Sequence, residues 1–113
     1  MVSTDQNYLE DLEILLPSWR RHLRARNFSP KTITAYLSTA ERFLDFLKAA
    51  GMPTSTAGIR REHVEAYIED QLIRHRPSTA ATRYRDLKQL FGWLVDEGEI
   101  PHGPNGAHAA SEA

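Results

Sequence analysis

Four segments of this 113-residue sequence carry apolar residues at spacings of three and four, the pattern of a helix with one buried face. In the second segment, for example, this stripe consists of Ile33, Leu37, Ala40, Leu44 and Leu47. No stretch alternates apolar and polar residues for long enough to predict a strand. The sequence therefore predicts an all-α domain, a compact four-helix orthogonal bundle.

Prolines and glycines indicate where the first two helices begin and end. Pro17 interrupts the first apolar stripe, so the first helix either begins near this residue or is kinked there. Ser29 is a suitable N-cap, Pro30 suits the first helical position, and Gly51 suits the position after a helix end. The second helix is therefore expected from Pro30 to about Ala50.

The third and fourth helices are expected on either side of a short connection that contains Pro77. The third should cover roughly Arg61 to Arg74, and its inward side should hold Val64, Tyr67, Ile68 and Leu72. The fourth should begin with Ser78 as its cap and end at Gly98. Its inward side should hold Tyr84, Leu87, Leu90, Phe91 and Leu94.

Helices two and four share one layout at an offset of 47 residues, at which Pro30 corresponds to Pro77. Each segment opens with Ser, Pro and Thr, and each delays its first acid, to Glu41 in one and to Asp86 in the other. A repeated capping pattern explains the prolines. It does not explain the missing acids, because the positive end of a helix ordinarily favours an acidic side chain.

Basic residues are concentrated in two blocks, although the net charge of the chain is only −1. Residues 17–36 hold four arginines and a lysine without an acid, and residues 71–90 hold four arginines and a lysine against one aspartate. A helix N-terminus surrounded by Lys, Arg, Ser and Thr is an arrangement that binds phosphate. The two blocks therefore favour nucleic-acid binding, with simple solvation of the charges as the alternative.

Composition limits the remaining classes of function. The chain has no cysteine, which excludes disulfides and thiolate metal sites. A cytoplasmic location is expected, because no apolar run is long enough for a membrane span and the first residues lack a signal-peptide pattern. The expected organisation is a flexible N-terminus over residues 1–8, a helical domain over 9–99, and a linker or disordered tail over 100–113.

Tyrosines, histidines and acids form no catalytic or metal-binding pattern in this sequence. Tyr36, Tyr67 and Tyr84 lie among apolar residues at helical spacing, so they are expected in the core or at its edge. The five histidines have no metal-ligand spacing. No catalytic residue, cofactor, metal or small-molecule substrate is therefore expected. An acidic run on helix three, expected to be solvated or to meet the basic surface of a neighbouring subunit, consists of Glu62, Glu65, Glu69 and Asp70.

A family resemblance over about residues 10–101 is carried by three runs of sequence: SWRRHLRARNFSPKTITAYLSTAERFLDFLKAAG, REHVEAYIED and STAATRYRDLKQLFGWLVDEGEIP. They resemble the N-terminal, SAM-like core-binding domain of tyrosine recombinases of the phage-integrase type. The resemblance implies a four-helix domain that packs on one side of a DNA duplex while a separate catalytic domain, absent from this chain, closes the other side. It implies double-stranded DNA at recombination sites and other recombinase protomers as partners, and no enzymatic activity of this chain alone.

The resemblance also implies that the second and fourth helices face the DNA and bind it with sequence selectivity. On helix two it implies contacts from Lys31, Thr32, Thr34 and Ser38. On helix four it implies contacts from Ser78, Thr79, Thr82, Arg83 and Arg85. Two alternatives stay open: a helical protein-interaction module with a basic surface, and a stand-alone DNA-binding protein that occupies recombinase sites and blocks them.

Overall fold

The computed structural model describes residues 11–97, which form four α-helices. In chain order these are α1 (Leu12–Ala25), α2 (Pro30–Ala49), α3 (Arg61–Arg74) and α4 (Pro77–Asp96). The predicted all-α, four-helix architecture is confirmed. The expectations for residues 1–8 and 100–113 lie outside the described residues. None of the four helices has the length and apolar character needed to cross a membrane.

α1 begins before Pro17 and continues through it, so the expectation of a helix that begins near this proline is wrong. The start of the helix is fixed by Asp11, whose Oδ1 accepts a hydrogen bond from the backbone N–H of Glu13 at 2.9 Å. Its Oδ2 accepts the hydroxyl of Thr54 at 2.6 Å. Because an acidic cap and this tie to the α2–α3 linker hold the first turn, the missing N–H of the proline does not end the helix.

The predicted caps of α2 are both confirmed. The Oγ of Ser29 accepts a hydrogen bond from the backbone N–H of Thr32 at 3.1 Å. At the other end Gly51 has a φ of +72°, and the backbone N–H of Met52 donates to the carbonyl of Leu47 at 2.9 Å. This is the glycine-dependent C-cap in which a left-handed residue lets the chain satisfy the last carbonyls.

The predicted cap of α4 is wrong. α4 begins at Pro77 with Arg76 in the N-cap position, and no side chain caps its first turn. Ser78 lies inside that turn, where its carbonyl accepts the hydroxyl of Thr82 at 3.0 Å. Proline fixes its own φ near the helical value and has no N–H to satisfy, so the helix can begin there without a side-chain cap. The expected end at Gly98 lies outside the described residues.

An aromatic network centred on α2 ties the four helices together. Phe43 is fully buried, and its ring meets Tyr67 of α3 and Phe91 of α4 edge-on, with centroid separations of 5.3 and 6.1 Å. Trp19 of α1 stacks on Tyr36 of α2 at 5.8 Å. Edge-to-face and offset-stacked rings are the favoured aromatic geometries. The expectation that Tyr36 and Tyr67 lie in the core or at its edge is confirmed.

Two residues expected on inward faces are exposed instead. Leu72 is 49% exposed and Tyr84 is 37% exposed, so neither belongs to the core. On α3 the neighbouring buried position belongs to Gln71, which turns inward and accepts a hydrogen bond from Arg83 of α4. Tyr84 lies on the surface of α4, where the Nζ of Lys88 is 5.7 Å from the centre of its ring. A polar contact between helices therefore replaces the expected apolar one.

Replacing Phe43 with alanine should lower the free energy of unfolding by about 3–5 kcal/mol, because it removes a fully buried ring and leaves a cavity. Urea denaturation followed by circular dichroism measures the loss. The control is Ile73→Ala on the exposed side of α3, which should change stability by less than about 0.5 kcal/mol. Similar losses for the two variants would contradict the central position of Phe43.

Candidate nucleic-acid interface

Of the four described helices, α2 and α4 have first turns without an acid, whereas α1 has Glu13 there and α3 has Glu62. Both α2 and α4 are 20 residues long and begin with proline. The layout repeated in the sequence therefore corresponds to two helices of equal length. Since no acid of their own first turns neutralises the positive ends of these two helices, the ends are available to an outside anion.

A buried hydrogen bond joins the middles of α2 and α4. The hydroxyl of Thr39 donates to the Oδ2 of Asp86 at 2.7 Å, between residues that are 47 positions apart. Each is the tenth residue of its helix, so the bond joins equivalent positions of the repeated layout. The two residues are only 4% and 7% exposed. This bond fixes where the two helices lie against each other.

A surface groove of about 340 Å³ lies between α2 and α4 beside this hydrogen bond. One wall is the middle of α2 and the other is the first half of α4. The lining residues are Ala35, Ser38, Thr39, Arg42, Ser78, Thr79, Thr82, Arg83 and Asp86. Hydroxyl and guanidinium groups are donors that proteins use to contact phosphate oxygens. The groove therefore has the chemical groups of an anion-binding surface.

The structure brings five of the nine predicted DNA-contacting residues into this groove: Ser38, Ser78, Thr79, Thr82 and Arg83. The other four do not line it: Lys31, Thr32, Thr34 and Arg85. Thr32 takes part in the cap of α2, where its hydroxyl accepts the hydroxyl of Ser29 at 2.9 Å. Arg85 lies next to the groove, since its guanidinium donates to the hydroxyl of Thr82 at 3.3 Å. The remaining two are exposed at the beginning of α2.

Arg83 is held in position by α3. Its Nη1 donates a hydrogen bond to the side-chain carbonyl of Gln71, which is 5% exposed. Burial raises the pKa of the nearby Tyr67 phenol, and the positive charges of Arg83 and Arg42 oppose that rise. Within the described part of the chain, this phenol makes no hydrogen bond of ordinary geometry. A guanidinium already fixed in this way loses less entropy when it binds an anion than a free one would.

Four residues of the groove are absent from the predicted set: Ala35, Thr39, Arg42 and Asp86. Arg42 lines the groove on α2, where its Nε donates to the hydroxyl of Ser38 at 3.3 Å. Thr39 and Asp86 form the bond at its edge. The 47-residue offset was the signal that could have found this pair, because it aligns the two positions directly. Helical spacing is the signal for Ala35 and Arg42, because they lie three residues before and four residues after Ser38 and so share its face of α2.

Asp86 places a carboxyl group in a groove that otherwise favours anions. Burial raises its pKa above the ordinary value of 3.8, and the hydrogen bond from Thr39 and the charges of Arg85 and Arg83 oppose that rise. A charged carboxylate here stabilises the arginines around it but repels an approaching phosphate. The Thr39–Asp86 bond therefore has a structural purpose that competes with the electrostatics of the surface.

Residues 15–99 match the family model described as "Phage integrase, N-terminal SAM-like domain". The chain is 32% identical over 93 residues to tyrosine recombinase XerC of Roseiflexus sp. (strain RS-1), and this alignment covers 74% of this chain and 27% of that protein. It is 28% identical over 106 residues to tyrosine recombinase XerC of Chlorobaculum parvum, and this alignment covers 84% of this chain and 32% of that protein. No solved structure matches significantly. The chain thus spans less than a third of the length of these curated relatives.

Replacing Thr39 with valine should lower the free energy of unfolding by about 1.5–3 kcal/mol, because the buried Asp86 carboxylate loses its hydrogen-bond donor. Valine has nearly the shape of threonine, so the packing around it is retained. Urea denaturation at neutral pH measures the effect. Thr34→Val, at an exposed position of the same helix, should change stability by less than about 0.5 kcal/mol. Equal effects at the two positions would refute the role of the bond.

The raised pKa of Asp86 predicts how stability depends on pH. The folded chain holds the proton of this carboxyl more tightly than the unfolded chain does, so protonation of Asp86 adds to the free energy of unfolding. This contribution is complete below the ordinary pKa of 3.8 and is lost as pH rises through the pKa of the folded chain. Asp86→Asn keeps an acceptor for Thr39 and does not titrate. Its stability relative to the unaltered chain should therefore increase as pH rises above 3.8. A difference in urea unfolding that stays constant with pH would contradict this.

Proposed function

The chain belongs to the phage integrase N-terminal SAM-like domain family, and from this premise we propose that it binds double-stranded DNA through the groove between α2 and α4. The observation that carries the proposal is that the two helices with acid-free first turns also form a groove lined with hydroxyl and guanidinium groups. Both features offer hydrogen-bond donors and positive charge to an outside anion. A duplex presents such anions continuously along its backbone.

The predicted residues have two tasks in this proposal. The short hydroxyl side chains of the groove and the fixed guanidinium of Arg83 donate to phosphate oxygens, which positions the duplex without reading its sequence. Lys31 is exposed at the start of α2 and Arg85 is exposed next to the groove, and both side chains are long enough to reach base edges or flanking phosphates. Arginine and lysine donate to the O6 and N7 of guanine in the major groove. Sequence selectivity is therefore assigned to these two side chains.

The family context extends the proposal to recombination. Both relatives described above are named tyrosine recombinases. We propose that the chain acts as the DNA-binding clamp of such a recombinase, in the cytoplasm, together with other protomers on the same DNA. Its contribution is to bind and position the duplex. The cleavage and rejoining of strands is assigned to groups outside residues 11–97.

Binding of a fluorescein-labelled duplex, followed by fluorescence anisotropy, should weaken steeply as salt is added. A contact with about four to six phosphates predicts a slope of roughly −4 to −5 in a plot of log Kobs against log salt concentration. A chain that merely interacts with proteins would not bind the duplex. Absence of binding at low ionic strength, or binding that salt does not weaken, would therefore contradict the proposal.

Charge-neutralising variants test which face of the domain binds the DNA. Lys31→Gln and Arg85→Gln should each weaken binding by about 1–3 kcal/mol and relax the preference for one base, because each removes a base contact. Arg42→Gln should weaken binding to all sequences alike and reduce the salt slope by about 1, because it removes a phosphate contact within the groove. The matched controls are Arg60→Gln and Arg61→Gln at the start of α3, which should leave the slope unchanged. Equal losses in both groups would refute the assignment to α2 and α4.

A further inference from the structure

The outer faces of α1 and α3 have large exposed apolar side chains that the monomer leaves uncovered. Ile14 on α1 is 63% exposed and Ile73 on α3 is 83% exposed. Neither residue lines the groove between α2 and α4. A single exposed apolar residue is ordinary on a protein surface, so each isoleucine is informative only together with the charges around it.

The outer face of α1 is basic. Ile14 is followed on the same face by Pro17, Arg21 and Arg24, at spacings of three and four, and all of these residues are exposed. Neither arginine forms an ion pair with another residue in the range 11–97. This set of four residues is called the basic face below. It offers one apolar contact and two free guanidinium groups.

The outer face of α3 is acidic. Glu62, Glu65 and Glu69 lead to Ile73 at spacings of three and four, so these four residues share one face, and all of them are exposed. Glu65 pairs with Arg61 of the same helix at 3.6 Å, while the other two glutamates form no ion pair in the described part of the chain. This set is called the acidic face below. It has the opposite charge to the basic face and the same kind of apolar end.

We propose that the basic face of one copy of this chain docks, antiparallel, on the acidic face of a second copy. The two faces are complementary in charge and each has a single exposed isoleucine. In the antiparallel arrangement the two isoleucines meet at one end of the contact and the arginines lie opposite the glutamates. A parallel arrangement would instead set each isoleucine against a charged side chain, which costs the desolvation of that charge.

The spacing of the charges along the two helices supports the antiparallel arrangement. A helix rises about 1.5 Å per residue, so Arg21 lies about 10 Å from Ile14, and Glu65 lies about 12 Å from Ile73. By the same measure, Arg24 lies about 15 Å from Ile14 and Glu62 lies about 16 Å from Ile73. With the isoleucines in contact, each arginine is therefore within reach of a glutamate of the other copy.

The contact joins two different faces, so each copy in a pair keeps one face free. Such a head-to-tail contact builds a closed ring or an open chain of copies rather than a symmetric dimer. It also leaves the α2–α4 groove uncovered. The biological use of the contact rests on the proposed function, because copies bound at neighbouring DNA sites reach a high effective concentration that strengthens a weak contact.

Sedimentation of the full chain without DNA tests the contact, with Ile14→Asp and Ile73→Asp each disabling one face. The unaltered chain should associate weakly and reversibly, with a Kd on the order of 1 mM that rises with salt. Each variant alone should stay monomeric. A mixture of the two should form pairs that do not grow further, because the Ile73→Asp chain keeps its basic face and the Ile14→Asp chain keeps its acidic face.

A matched control is Tyr84→Asp, which alters another exposed apolar residue outside both faces and should associate like the unaltered chain. A charge exchange tests the register: Arg21→Glu and Glu65→Arg should each raise the Kd at least several-fold, and the double variant should restore it. Thermal melting by circular dichroism checks that each variant is folded.

An unaltered chain that stays monomeric at about 1 mM, or a mixture that does not pair, would overturn the proposed contact. A double variant that fails to regain association would overturn it as well. Because this assay contains no DNA, either result leaves the salt-dependent duplex binding to be judged by its own measurement.

Discussion

Burial of α2 among the other three helices is the constraint on which the rest of the structure depends. Its inward residues meet α1, α3 and α4, and Phe43 touches rings from two of these partners at once. Once that side is buried, the strip of α2 that borders α4 is fixed as well. The core therefore determines where the groove lies. The side chains that line the groove belong to helices that core packing prevents from rotating about their own axes.

Two local preferences are set aside in α2 and α4. The first turns of both helices lack an acid, which would stabilise a helix start by about 0.3–1 kcal/mol. Asp86 is buried with a raised pKa and depends on Thr39 for its hydrogen bond. Departures from stable local chemistry are expected where a protein binds a ligand. Here they lie in the two helices that carry the proposed DNA contact.

The four helices and both caps of α2 could be predicted from the sequence because they depend on local chemistry. The apolar spacings, the Ser29 cap and Gly51 act within a few residues of themselves. The Ser78 cap is wrong for an equally local reason, since Pro77 already begins α4 and Ser78 follows it. Other features depend on packing between helices and could not be predicted in this way, such as the exposure of Leu72 beside the buried Gln71, which accepts a hydrogen bond from Arg83. The groove exists only because α2 and α4 meet at their midpoints, a contact that the repeated layout implied without showing its geometry.

We propose that α2 and α4 together form the DNA-binding surface. The amide resonances of the isotopically labelled chain, followed by nuclear magnetic resonance while duplex DNA is added, test this proposal. The largest shifts should fall in residues 30–42 and 77–86, with the amides of α3 changing little. Shifts concentrated on the outer faces of α1 or α3, with the groove unaffected, would contradict it.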